Sequence, residues 1–153
     1  MKKFRVKRQV IACEARKLLG LPFIHQGRNE LGLDCVGLLV QVAKTINYPN
    51  IIDAENYQRT PSASVLENLM AENCDEIPLA EAGLGDFILM RLGGAKPRHV
   101  AIISNVEIDN VRAIEPMMIH ALSNGNIHRV VEQPLSDWRN QFYKAYRIRG
   151  LVD

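Results

Sequence analysis

Three side chains in this 153-residue chain are of the types that acyl transfer requires: Cys35, His99 and His120. A thiol attacks as its thiolate, and the first turn of a helix, with unpaired amides and the positive end of the dipole, favours negative sulfur. Cys35 directly follows Asp34, a good N-cap residue because its carboxylate accepts from first-turn amides. This pattern places Cys35 at a helix start and predicts a lowered thiol pKa. His99 opens the segment HVAIIS, where alternation puts its ring on the face of Ala101 and Ile103 and makes it the natural proton acceptor. His120, in MIHAL, offers a ring nitrogen to hold that imidazole in one tautomer.

Each of these residues also has a plain structural reading, since cysteine is a common buried apolar residue and histidine is intermediate in burial. Cys13 and Cys74 read as structural. Cys13 lies among apolar neighbours in a helical stretch, and Cys74 trails a helix, where the dipole would raise a thiol pKa. Asp34 reads as a cap before a catalyst, and Trp138 as a packing anchor.

The elements that must position these groups are visible in the spacing of apolar residues. Val6, Val10, Ile11, Ala15, Leu18 and Leu19 recur at helical spacing and stop at Gly20-Leu21-Pro22, predicting a first helix. After the polar loop IHQGRNELGLD, a stripe through Leu38, Leu39, Val42, Ala43 and Ile46 predicts a helix that starts at Asp34-Cys35 and ends before Tyr48-Pro49. A loop with Tyr57 and Thr60-Pro61 leads to SASVLENLMAEN, a third helix capped by Ser62, with Val65, Leu66, Leu69 and Met70 inward. From Gly83-Leu84-Gly85 onward the period is two, and DFILMRL, HVAIISN, RAIEPMMIHAL, IHRVVEQ and YKAYRIRG read as strands. Gly93-Gly94 with Lys96-Pro97, Val106 to Asn110, and Asn124-Gly125-Asn126 supply the turns. Helices first and strands second predict an α+β fold, N-terminal helices packed on one face of a C-terminal antiparallel sheet.

Bulk properties narrow the class. The length predicts one domain over residues 1–153, large enough for a core without disulfide or metal staples. Nineteen basic against 17 acidic side chains leave a net charge of +2, too even to mark a nucleic-acid binder. Three widely spaced cysteines argue against a disulfide framework, and neither Cys-x-x-Cys nor His-Glu-x-x-His occurs, so neither metal nor cofactor is expected. No apolar stretch reads as a signal peptide or a membrane span, which predicts synthesis in the cytoplasm and no membrane insertion.

The stretch LGLPFIHQGRNELGLDCVGLLV resembles the nucleophile region of the NlpC-type cell-wall cysteine peptidases, where a Gly-x-Pro-aromatic turn and a Gly-containing loop precede Asp-Cys-x-Gly-Leu. GDFILMRLGGAKPRHVAIIS is similar to their Gly-Asp-strand, loop and His-strand, and MMIHAL to the strand carrying their third polar residue. The tail IHRVVEQPLSDWRNQFYKAYRIRG resembles the closing segment of the phage-encoded, tail-associated branch. Together these cover roughly Leu19 to Gly150.

The resemblance implies a papain-like fold and hydrolysis of an amide in the peptide stem of peptidoglycan, between D-glutamate and the following diamino acid. Cys35 would attack, His99 would exchange the proton, and His120 would orient His99, without metal or cofactor. The Cys35 amide would serve as an oxyanion donor. Where the family often carries tyrosine this chain has Phe23, so either His25 or Gln26 supplies the missing hydrogen bond or the site is less active than in relatives. Free carboxylates on the stem would call for a cation, with Arg28, and less strongly Arg98, in range of the catalytic segments. Delivery on a virion tail beside phage tail proteins, export through a lysis hole, or action within the cytoplasm on recycled muropeptides would each bring the enzyme to its substrate. Two other readings stay open: a tail component with a degenerate cleft, and a thiol amidase or acyltransferase on another amide.

Overall fold

The first half of the chain is helical where apolar residues repeat at helical spacing, and the second half is strands where they alternate. A computed structural model describes residues 3–49, 53, 63–92, 94, 96–109 and 112–153. The expected loop residues Tyr57, Thr60 and Pro61, the cap at Ser62, and the turn residues Gly93 and Asn110 lie outside them.

The chain begins with a short strand, β1 (Val6–Lys7), followed by α1 (Arg8–Arg16), which buries Ile11, Ala12 and Ala15. This helix is shorter than expected. Val6 belongs instead to β1, which runs parallel to the C-terminal pair Leu151–Val152, while Leu18 and Leu19 lie in the turn beyond the helix. Val10 is 42% exposed and Cys13 is also exposed, correcting the inward positions expected of both. One narrow stripe of α1 suffices to cover the sheet, so its flanks stay in solvent.

A small hairpin, β2 (Arg28–Asn29) with β3 (Gly32–Leu33), leads into α2 (Cys35–Thr45), capped by Asp34 as the sequence predicts. Helix α3 (Ala63–Asn73) buries Leu66, Leu69 and Met70, and runs directly into β4 (Cys74–Ile77), an edge strand that the sequence reading did not anticipate. The remaining strands are β5 (Phe87–Arg91), β6 (Pro97–Asp109), β7 (Arg112–Asn124), β8 (Ile127–Pro134), β9 (Phe142–Ile148) and β10 (Leu151–Val152). Residues 106–109 continue β6 rather than turning. The hairpin at Gly125-Asn126 is as expected: Asn124 pairs with Ile127, and Gly125 supplies φ +57°.

Six strands form one antiparallel sheet in the order β4-β9-β5-β6-β7-β8. Phe87, Leu89, Val100, Ile102, Ile119 and Ala121 point to the helices and join Ile11, Leu38, Val42 and Leu66 in the main core. The alternate residues Ile88, Met90, Ala101, Ile103 and Met118 point away and are covered by Leu135, with Trp138 packed against them. This is the α+β arrangement of N-terminal helices on a C-terminal antiparallel sheet, and it gives every strand residue a defined face.

Asp86 anchors the start of β5 from inside. Its fully buried carboxylate accepts from Arg147 Nε and Nη2, both at 2.9 Å, from Gly83 N at 2.9 Å and from Arg8 Nη1 at 3.3 Å. Three separate parts of the chain are thereby tied to one charge.

Candidate active site

The carboxylate of Asp34 ties the loop before α2 to the helix. Asp34 is 1% exposed; its Oδ1 accepts from Gly37 N at 2.8 Å, closing the first turn of α2, and its Oδ2 accepts from Gln26 N at 2.9 Å. Arg28 Nη1 donates to the same Asp34 Oδ1 at 3.0 Å and to Gly27 O at 2.9 Å. The loop then lies so close to the helix that a Cβ at position 37 would stand 2.0 Å from the Gly27 carbonyl oxygen. A glycine two residues after Cys35 is therefore a packing requirement.

The Cys35 sulfur approaches the sheet where two strands separate. Ile103 donates its amide to Asp86 O and accepts from Gly85 N, so odd-numbered residues of β6 turn their backbone groups toward β5. Val100 consequently turns its amide toward β7. The ladder between β6 and β7 begins only at Ile102 and Ile119, and the Val100 amide is left for the thiol, which it stabilises together with the amides of Val36 and Cys35. The sulfur thus sits beside the residue that follows His99.

His99 lies opposite Met90 and shares the face of Ala101 and Ile103. Its Nε2 is 2.7 Å from Nδ1 of His120, which occupies the equivalent face of β7. His120 Nε2 is 2.7 Å from Gln133 Oε1, and its ring meets Trp138 edge-on at 5.1 Å between centroids. His99 is 4% exposed and His120 is fully buried.

Burial sets the charges of these groups. Desolvation pushes the Cys35 thiol up to about 12, the neighbouring Asp34 carboxylate adds to the rise, and the three amides only partly offset it. This is the reverse of the lowering expected from the helix start, because the dipole acts on a sulfur that has lost its water. Desolvation likewise holds His99 well below its usual 6.5, assisted by His120, and brings His120 down to about 4. The resting site contains a neutral thiol and two neutral imidazoles.

The other residues singled out from sequence occupy varied surroundings. Arg28 makes a second ion pair, donating through Nε to Asp53 at 3.0 Å, so its guanidinium braces the loop against two acids. His25 is half-buried in the same loop, Gln26 is exposed at φ 58°, and Arg98 is exposed beside His99. Phe23 packs against the main core and donates its amide to His128 O at 2.9 Å. Cys74 is buried, and desolvation raises its thiol to about 12. Neither Gln133 nor the polar role of Trp138 has a signal in the sequence pattern. Their proximity to His120 depends on strand register, which a single sequence leaves open.

Among the described residues, no group of three or more His, Cys, Asp or Glu side chains could hold a metal ion. No described helix is long and apolar enough to cross a membrane.

A model of the NlpC/P60 family matches residues 20–149. The fold is similar to that of the NlpC/p60 domain of the peptidoglycan hydrolase SagA, at 21% identity and TM-score 0.60, covering 94% of this chain and 100% of that one. It is also similar to an NlpC/P60 family protein from Bacillus cereus, at 19% identity and TM-score 0.65, covering 95% of this chain and 41% of that one. NlpC2 from Trichomonas vaginalis matches at 18% identity and TM-score 0.63, over 96% of this chain and 48% of that one. The chain therefore spans the whole SagA domain but less than half of the other two proteins. No curated protein matches the sequence. The chain belongs to the NlpC/P60 family, and it is a cysteine-type peptidase with the papain-like architecture of that family.

Proposed function

We propose that this NlpC/P60 family member hydrolyses an amide in the peptide stem of peptidoglycan, the bond between D-glutamate and the following diamino acid, with Cys35, His99 and His120 as its catalytic set. The observation that carries this reading is the placement of the Cys35 thiol at the Val100 amide, one residue from a histidine whose Nε2 is engaged by His120 at 2.7 Å. The match to SagA, a peptidoglycan hydrolase by name, supports the substrate.

The reaction follows from the resting charges. As Sγ of Cys35 bonds to the carbonyl carbon, its proton passes to Nδ1 of His99, so the ion pair forms during attack rather than before it. The Cys35 amide, at the start of α2, donates to the developing oxyanion. Collapse breaks the C–N bond, and the leaving amine takes the proton from His99. Water, deprotonated by the same imidazole, then attacks the thioester carbon, the C–S bond breaks, and the proton returns from His99 to the Cys35 sulfur. His25 or Gln26 would supply the second hydrogen bond to the oxyanion, and Arg28 or Arg98 would offer the cation for stem carboxylates.

Defined stem peptides incubated with wild type and Cys35→Ala, read by mass spectrometry, test bond and nucleophile together. Cleavage at the D-glutamyl bond by wild type alone is the expected result. Cleavage by a folded Cys35→Ala protein would remove the proposal.

The tail segment Ile127 to Gly150 supports an association with phage tails and action on the wall after delivery by a virion. A second reading, a tail component whose cleft no longer turns over, is favoured by Phe23, which lacks a hydroxyl and packs against the core. A virion assembled with Cys35→Ala separates the two: full infectivity favours the structural role, and impaired entry the enzymatic one.

A further inference from the structure

The geometry points to Gln133, held by Trp138, as the positioning residue that decides which nitrogen of His99 carries the proton. This rests on the proposed role of His99 as base. The reasoning begins at the indole, whose Nε1–H can only donate. Trp138 Nε1 lies 3.1 Å from Gln133 Oε1, so that atom must be the amide oxygen, and the orientation of the Gln133 side chain is set. The same oxygen is 2.7 Å from His120 Nε2, which must therefore be the protonated nitrogen of its ring. A neutral imidazole protonated at Nε2 has a bare Nδ1, and His120 Nδ1 faces His99 Nε2 at 2.7 Å. His99 must donate from Nε2. Its Nδ1 is then the lone pair, the only arrangement in which a neutral His99 can take a proton from sulfur.

The chain of four groups has one self-consistent pattern of protons, and it is dictated from the end farthest from the thiol. Gln133 stands opposite Met118 in the β7–β8 ladder, diagonal to His120 and on its face. Trp138 is brought back to it by the short 3-10 turn Leu135–Asp137 that follows Pro134. Without the Gln133 oxygen, an Nε2–H on the fully buried His120 would have no acceptor, so the other tautomer is favoured. The one protonated at Nδ1 would donate to His99 and force the proton of His99 onto Nδ1, blocking the base.

Two-bond proton–nitrogen NMR of the imidazoles reads these tautomers directly and requires no activity. In the wild-type protein both His99 and His120 should be protonated at Nε2. In Gln133→Leu, His120 and His99 should move to the Nδ1–H form, and kcat on a D-glutamyl stem peptide should fall about a hundredfold with KM little changed. Trp138→Phe, which frees the amide to rotate, should give mixed tautomers and a smaller loss. A wild-type His99 protonated at Nδ1, or unchanged tautomers in folded Gln133→Leu, overturns the inference. If Gln133→Leu does not fold, the wild-type and Trp138→Phe spectra decide it. Failure of Cys35→Ala to abolish cleavage would instead strike the proposed reaction and leave the tautomer result standing.

Discussion

Asp34 acts on the sulfur of the adjacent Cys35 in two opposite ways. The Asp34 side chain builds the helix start that presents the thiol, bonding Gly37 N at 2.8 Å, while its buried negative charge disfavours the thiolate it helps to place. The site is organised by a group that opposes its resting ionisation, which fits a proton transferred only when substrate arrives.

The thiol should therefore titrate high in the free protein. The alkylation rate of Cys35, isolated by replacing exposed Cys13, should climb from about pH 6 to about pH 10 without the plateau of a low-pKa thiolate. Asp34→Asn, which keeps an oxygen for Gly37 N and removes the charge, should shift the profile toward lower pH. A plateau below about pH 8 in wild type would contradict the assignment of a neutral resting thiol.

Stability should fall in acid through the two histidines. Burial lowers His120 from 6.5 to about 4, so the unfolded chain binds its proton at higher pH than the folded one. The contribution is fully present above about pH 6.5 and is lost as pH falls toward about 4, with a slope of about 1.4 kcal/mol per pH unit and a total of about 3 kcal/mol. His99, lowered in the same direction, steepens the loss. Urea midpoints across this range should drop, and His120→Asn should flatten the drop; identical slopes in the two proteins would refute the account.

Asp86 should be among the costliest positions to change. Its carboxylate is fully buried between Arg147 and Arg8, and Asp86→Ala removes the acceptor that the two guanidinium groups share, leaving Arg8 with Asp153 and Leu84 O and Arg147 with Glu81 O. A loss of about 3–5 kcal/mol is expected in chemical denaturation, with Asp86→Asn in between. A change under about 1 kcal/mol would mean that solvent replaces the carboxylate freely.

Gly37→Ala should disturb the site without touching its chemistry. The new methyl would lie 2.0 Å from the Gly27 carbonyl, which is backbone and must move with its loop. About 1–3 kcal/mol of stability should be lost, and cleavage should weaken because the Gln26 and Arg28 links to Asp34 shift. Wild-type stability and turnover in Gly37→Ala would show that the loop is not seated on the helix as described.

Much of the fold was readable in advance because its signals are local. The Asp34 cap, the period-two strands and the Asn124 to Asn126 hairpin depend on residues a few positions apart, and each matches its element. The first helix was overextended because Val6 satisfies helical spacing yet pairs with Leu151 at the far end of the chain. Strand β4 went unseen since CDEI has no alternation of its own and is made a strand by β9.

By itself the sequence determined the setting of Cys35 at a capped helix start and the order of the motifs, because capping, periodicity and turn chemistry act between near neighbours. Only the tertiary structure decided the charge of the thiol, the engagement of His99 by His120, and the entry of Gln133 and Trp138 behind them. Those outcomes depend on desolvation and strand register, and both arise from contacts between residues distant along the chain.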